Sequence, residues 1–158
     1  MEIVERLKEL RVNMNKVDED VLSMIQRGQT VVAGLEKLSP NQVFDYCSKM
    51  LRAMSISCQG QLAYSQIETQ AKSTLDMAKS MSFLEGKEEL GKFDLKDTIS
   101  GRERIISNNP LVIEANNLHG EAEAKAIFCR DNFQIYKSAL ETAKKIIDLE
   151  KGFVQNKE

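Results

Sequence analysis

Residues 2–38 read EIVERLKELRVNMNKVDEDVLSMIQRGQTVVAGLEKL. Within them Ile3, Leu7, Leu10, Met14, Val17, Val21, Met24, Val31, Leu35 and Leu38 advance by alternating steps of four and three, with Gly28 the one interruption. An apolar repeat averaging 3.5 residues belongs to helices packed side by side along a seam. Val4, Val12, Leu22, Ile25 and Val32 widen the apolar face, which suits a multi-helix bundle better than a two-stranded coil. Asn13, Asn15 and Asp18 form a weak spot, but the heptad phase runs through it, so one rod or a gentle kink is expected.

Working outward, Ser39-Pro40-Asn41-Gln42 is a helix start: serine at the N-cap, proline in the first turn and glutamine three residues on. From there Phe44, Cys47, Leu51, Met54 and Cys58 keep the same spacing, and Tyr64, Ile67, Ala71, Ala78 and Met81 resume it in another frame. Gly60 sits at that slip, so a kink or break is expected there in a long helix over 40–86. The stretch 66–80 is thinly apolar and is expected to face solvent or a polar partner. Residues 87–99 read as a loop, Ser100-Gly101-Arg102-Glu103 as a capping box opening a short helix over 100–107, and Asn109-Pro110 as a further start. The closing helix, 110–151, carries the stripe Ala115, Leu118, Ala122, Ala126, Cys129, Phe133, Tyr136, Leu140, Ala143 and Ile147.

The expected fold is all-α: an elongated helical bundle built on long helical hairpins with coiled-coil-like packing, in a single domain over 1–158. Two prolines, no tryptophan and 42% hydrophobic residues agree with it. Three cysteines, Cys47, Cys58 and Cys129, form no CxxC pair, lie on apolar stripes and read as small core residues with free thiols in a reducing cytoplasm. The acidic start Met1-Glu2 is no secretory signal, and no run of apolar residues would span a membrane.

The chemistry-bearing residues exclude more than they specify. The 158 residues hold 22 basic and 24 acidic side chains. They divide as eight of each over 1–60, three against five over 61–90 and eleven of each over 91–158. The basic stripe of a phosphate-gripping protein is therefore absent from the sequence. Gly86-Lys-Glu-Glu-Leu-Gly91-Lys92-Phe93 resembles the start of a P-loop, but it lacks the hydroxyl that would hold Mg²⁺ and follows a helix rather than a strand. His119 is the only histidine and lies ten residues from Cys129 on one helix, too far along the axis for a catalytic pair. It has neither the Glu-x-x-His spacing nor the second histidine of a metal site. No catalytic, cofactor or metal residue is assigned, and the chain is expected not to be an enzyme. Lys92, Lys96, Arg102 and Arg104, around the loop and the short helix, are the candidates for phosphate contact.

A loose resemblance covers residues 62–153. A long helix ending Ser82-Phe-Leu-Glu-Gly86, the step Asp94-Leu95-Lys96, Arg104-Ile-Ile106 ahead of Asn109-Pro110, and a final Lys151-Gly152-Phe153 resemble the recombination mediator proteins of T4-like phages. That resemblance implies a small helical oligomer working beside single-stranded DNA, although the near-neutral charge departs from a nucleic-acid surface. The residues themselves favour an interaction or assembly protein that associates with itself and binds a macromolecular partner. Ile3, Leu7, Leu10 and Met14 are expected at the interface between copies. A small viral or mobile-element protein that blocks a host protein is a further reading. Expected partners are thus a second copy, an unidentified protein and, as an alternative, single-stranded nucleic acid, in the cytoplasm and without a membrane.

Overall fold

The computed structural model describes residues 2–92 and 98–155, with side chains described for 2–88 and 98–149. The described residues are helical and contain no strand: α1 spans Glu2–Val32, α2 Val43–Lys92, α3 Ile99–Asn108 and α4 Pro110–Gln155. Short 3-10 turns at Leu35–Lys37 and Pro40–Gln42 join α1 to α2. The all-α bundle expected from the apolar spacing is the fold observed.

Two of the three expected start signals, at Ser39 and Asn109, work locally. Gln42 Oε1 accepts hydrogen bonds from the backbone N–H of Ser39 at 3.2 Å and from its hydroxyl at 2.9 Å. Asn109 Oδ1 accepts from the Leu111 N–H at 2.9 Å and caps α4. The cap of α3 is Thr98, not Ser100: its hydroxyl accepts from the Gly101 N–H at 3.2 Å. α1 is unbroken through Asn13–Asp18, but it stops at Val32 rather than running to Leu38. Helix α2 continues beyond Gly86 to Lys92, and α4 beyond Lys151 to Gln155.

The largest correction concerns α2. It is one helix with no break at Gly60. Its buried residues are Val43, Tyr46, Met50, Ala53, Ser57, Gly60, Tyr64, Ile67, Ala71, Thr74, Leu75, Ala78, Ser82 and Gly86. Steps of three and four run without a slip from Val43 to Ala78 and then go by fours to Gly86, and glycine, alanine, serine and threonine hold many of the inward positions. The thinly apolar stretch 66–80 is inside this seam. The larger apolar residues Phe44, Leu51 and Leu62 point outward. On α1 the seam takes an extra step of four, so Ile25 is buried and Met24 only half so.

The chain divides into two compact units. Unit 1 comprises residues 1–15 and 64–124, and unit 2 residues 16–63 and 125–158. In unit 1 the core includes Ile3, Leu7, Leu10 and Met14 of α1, Tyr64, Ile67 and Ala71 of α2, and Ala115, Leu118 and Ala122 of α4. Burying each large apolar side chain contributes about 1.5–3 kcal/mol. Helix α3 lies against α2, Ile105 packing where Gly86 has no side chain and Arg102 stacking 4.9 Å over the Phe83 ring.

In unit 2, α1 and α4 run parallel and α2 antiparallel to both. Asp18 meets Lys125 at 2.7 Å, Gln29 donates to Asn132 at 2.8 Å, and Tyr136 lies against Gly28 and Ala53. The helices close most tightly at two layers. A Cβ at Gly60 would sit 2.7 Å from Val21 and 2.9 Å from Cys129, and one at Gly28 would sit 2.8 Å from the Tyr136 ring. Beyond them a cluster of Val43, Tyr46, Met50, Ala139, Leu140 and Ala143 is covered by Val31, Val32, Leu35 and Leu38 from the α1 end and its 3-10 turn.

A matched pair of substitutions separates packing from helix propensity. Gly120, in α4, has nothing within 4 Å of a built Cβ. Gly120→Ala should therefore stabilise by about 0.5–1 kcal/mol. Gly60→Ala has the same propensity gain but meets two core side chains, and overpacking costs about 1–3 kcal/mol. It should lower the urea midpoint, and a gain equal to that of Gly120→Ala would show that the layer is looser than described.

Candidate functional surfaces

The predicted site residues are mostly not brought to a common place. Ile3, Leu7, Leu10 and Met14, expected between copies, are at most 4% exposed within the chain itself. Their seam is intramolecular, because α2 and α4 supply the apolar faces that α1 needs. Arg102 is occupied by Phe83, while Arg104 is exposed on α3. The side chain of Lys92, and Lys96 altogether, lie outside the described residues. His119 is half-buried, with Nε2 3.9 Å from Glu68 Oε1. Among the described residues no three of His, Cys, Asp and Glu gather as a metal site would require. No described helix is long and apolar enough to cross a membrane.

Two surface features stand out instead, both in unit 2. The first is the outer face of α2. Phe44, Ser48, Leu51, Ser55, Cys58 and Leu62 step by four and three, and all are exposed. Phe44 is 84% exposed, Leu51 56% and Leu62 62%. Leu62 lies nine residues from Ala53 of the buried seam, two and a half helical turns, so the stripe is on the opposite side of the helix. Its six side chains are uncharged, and no charged residue occurs anywhere in 53–67, fifteen residues in a protein that is 29% charged. Cys58 is therefore exposed and not the core residue expected, while Cys47 is half-buried and Cys129 buried.

The second feature is a groove between α1 and α2 of about 270 Å³. Its floor is Gly28 and Ala53, its walls are Met24, Val31 and Ile56, and Arg27, Lys49 and Arg52 stand along its rim. The groove exists because both helices carry minimal side chains where they come together. A larger hollow of about 620 Å³ along Thr69, Asp76 and Met81 is lined by α2 alone and has no opposing wall.

Beneath the groove lies the buried polar centre of the unit. Tyr136 is fully buried and donates its hydroxyl to the Ile25 carbonyl at 2.7 Å. Asn132, also buried, donates to the Phe128 carbonyl at 2.9 Å and accepts from Gln29. Burial raises the Cys129 thiol to about 11, and burial together with the adjacent Cys129 raises the Tyr136 phenol to about 12. Burial, with Cys47 beside it, also raises Tyr46. These raised values mark neutral groups held inside, not an activated nucleophile, since a reactive thiol needs a lowered one.

The fold and these surfaces define an all-α helical bundle with an unpartnered apolar helix face and no gathered reactive groups among the described residues. No family model, curated protein or solved structure matches the chain.

The buried thiol and phenol set an alkaline limit. Both pKa values are raised on folding from ordinary values of 9.0 and 10.0. Their contribution to stability is therefore complete below about pH 9 and is lost as pH rises toward 11–12. Urea midpoints should hold level to pH 8.5 and fall by pH 10.5. Tyr136→Phe should start about 1 kcal/mol lower, having lost a buried hydrogen bond, and then fall less steeply. A wild-type midpoint flat to pH 11 would contradict the assignment.

Proposed function

We propose that this chain is a non-enzymatic helical assembly protein that pairs with a second copy through the outer face of α2. The observation that carries the reading is the exposed stripe Phe44, Ser48, Leu51, Ser55, Cys58 and Leu62. Large apolar side chains scattered singly over a surface require no explanation, but three aligned in one uncharged stripe, Phe44, Leu51 and Leu62, do. The spacing that holds α2 to α1 and α4 on one side recurs on the other, where none of the described residues covers it. Over eighteen residue steps the stripe is roughly 27 Å long, enough for a two-helix contact.

The chemistry of the stripe favours an identical partner. It offers phenylalanine, leucine, cysteine and serine, with no charge to select a complementary sign. A second copy brings an uncharged apolar stripe of the same length and spacing. Serines at positions 48 and 55 leave room into which a leucine from the other helix packs. This interface replaces Ile3, Leu7, Leu10 and Met14, whose seam is already filled.

Leu51→Glu combined with Leu62→Glu tests the pairing. Both positions are exposed, so helicity and the thermal midpoint of the fold should change little. Sedimentation velocity should show a pair for the wild type at micromolar concentration and a monomer for the double variant. Cys58 is an internal reporter: its thiol should react with a chromogenic disulfide several-fold faster in the monomeric variant. Identical sedimentation and identical thiol rates would end the proposal. Added oligo-dT should leave the wild-type profile unchanged, and a shift to a heavier species would favour the nucleic-acid reading in its place.

A further inference from the structure

The geometry points to the α1–α2 groove as a docking site for an acidic amphipathic helix of a partner protein. Such a helix would place an apolar side chain between Met24, Val31 and Ile56 and its carboxylates against Arg27, Lys49 and Arg52. The site lies on the α1-facing side of α2, bordering at Arg52 the stripe proposed to join two copies, and adds a second, different partner.

Three observations carry it. The groove has an apolar interior and three cations at its edge, with no acidic residue in its lining. Lys49 already meets Asp45 at 2.6 Å, on the same helix outside the groove. Arg27 and Arg52 are exposed, and among the described residues neither carries an ion pair. A guanidinium pair left open beside an apolar cleft is complementary to a ligand carrying both carboxylates and hydrocarbon.

Size and lining narrow the ligand further. About 270 Å³ is slightly below the usual small-molecule pocket of about 300–1,000 Å³ and suits one or two inserted side chains. Nucleic acid would use the cations but not the floor, because stacking needs an aromatic platform and no aromatic residue lines the groove. An amphipathic helix laid into a groove between two helices uses both parts, its anchors spaced at i, i+3 or i+4 and i+7.

The test uses the full chain and a fluorescein-labelled synthetic peptide with leucines at i, i+3, i+4 and i+7 and glutamates on its flanks, read by anisotropy. Binding should saturate and weaken as sodium chloride rises from about 50 to 300 mM. Arg27→Glu with Arg52→Glu should weaken it by about tenfold or more, while Arg27→Lys with Arg52→Lys retains most of the affinity. Circular dichroism and urea midpoints should be unchanged in both, since the replaced side chains are exposed. The Leu51→Glu, Leu62→Glu variant should bind the peptide like the wild type, so the docking and the self-pairing succeed or fail separately. Four results would overturn the inference: no peptide binding, equal binding by the charge-reversed variant, loss of binding in the outer-stripe variant, or tighter binding of labelled oligo-dT than of the peptide.

Discussion

The close approach of three helices at Gly28–Ala53–Tyr136 and at Gly60–Val21–Cys129 is the constraint on which unit 2 depends. Dispersion and apolar burial reward close packing, and a missing side chain on one helix is what lets a neighbour come near. The cost is borne by the helix, since each interior glycine is worth about 1 kcal/mol less than alanine in propensity. Tyr136 and Cys129 occupy the space the glycines leave. Tyr136 then needs a partner for its hydroxyl in a place without water, and the Ile25 carbonyl supplies it. Placing the smallest residues inward also turns Phe44, Leu51 and Leu62 outward, so the inner packing and the outer stripe are two results of one choice of phase.

The fold is most legible where large residues hold successive inward positions and a polar cap stands directly before a proline. The α1 seam from Ile3 to Met14, the start at Ser39–Gln42 and the cap at Asn109 are all where the residues predict them. The phase of α2 was not legible, because Ala53, Ser57, Gly60 and Thr74 do not look like core residues, whereas Phe44 and Leu51, one position after the buried Val43 and Met50, do. The expected slip at Gly60 came from following the outer stripe over 44–58 and the inner one from Tyr64 onward. A heptad drawn from Tyr46 and Met50 through Tyr64 and Ile67 would have found the seam, with small residues at the positions between. The same error put Cys58 in the core.

The candidate surfaces were harder still. Ile3, Leu7, Leu10 and Met14 look free in sequence because the chain near them offers little else to bury, whereas the faces that cover them come from the distant halves of α2 and α4. Arg102 looked like a phosphate ligand, but a ring beneath it, Phe83, lies nineteen residues away in sequence. The groove could not be seen at all: Met24 and Val31 were assigned to the α1 seam, and the joining of their outer sides with Arg52 and Ile56 depends on where α2 crosses.

A face that repeats identically on every copy also decides how an assembly ends. When two copies meet through the same patch, a two-fold axis relates them and each patch is used up by the other. If two copies pair through the stripe on α2, as proposed, each stripe covers the other and that contact closes at two. The α1–α2 groove, being unlike the stripe, then appears once per copy on either side of that axis. A pair formed in this way would present two equivalent sites, and a partner with two acidic helices could occupy both.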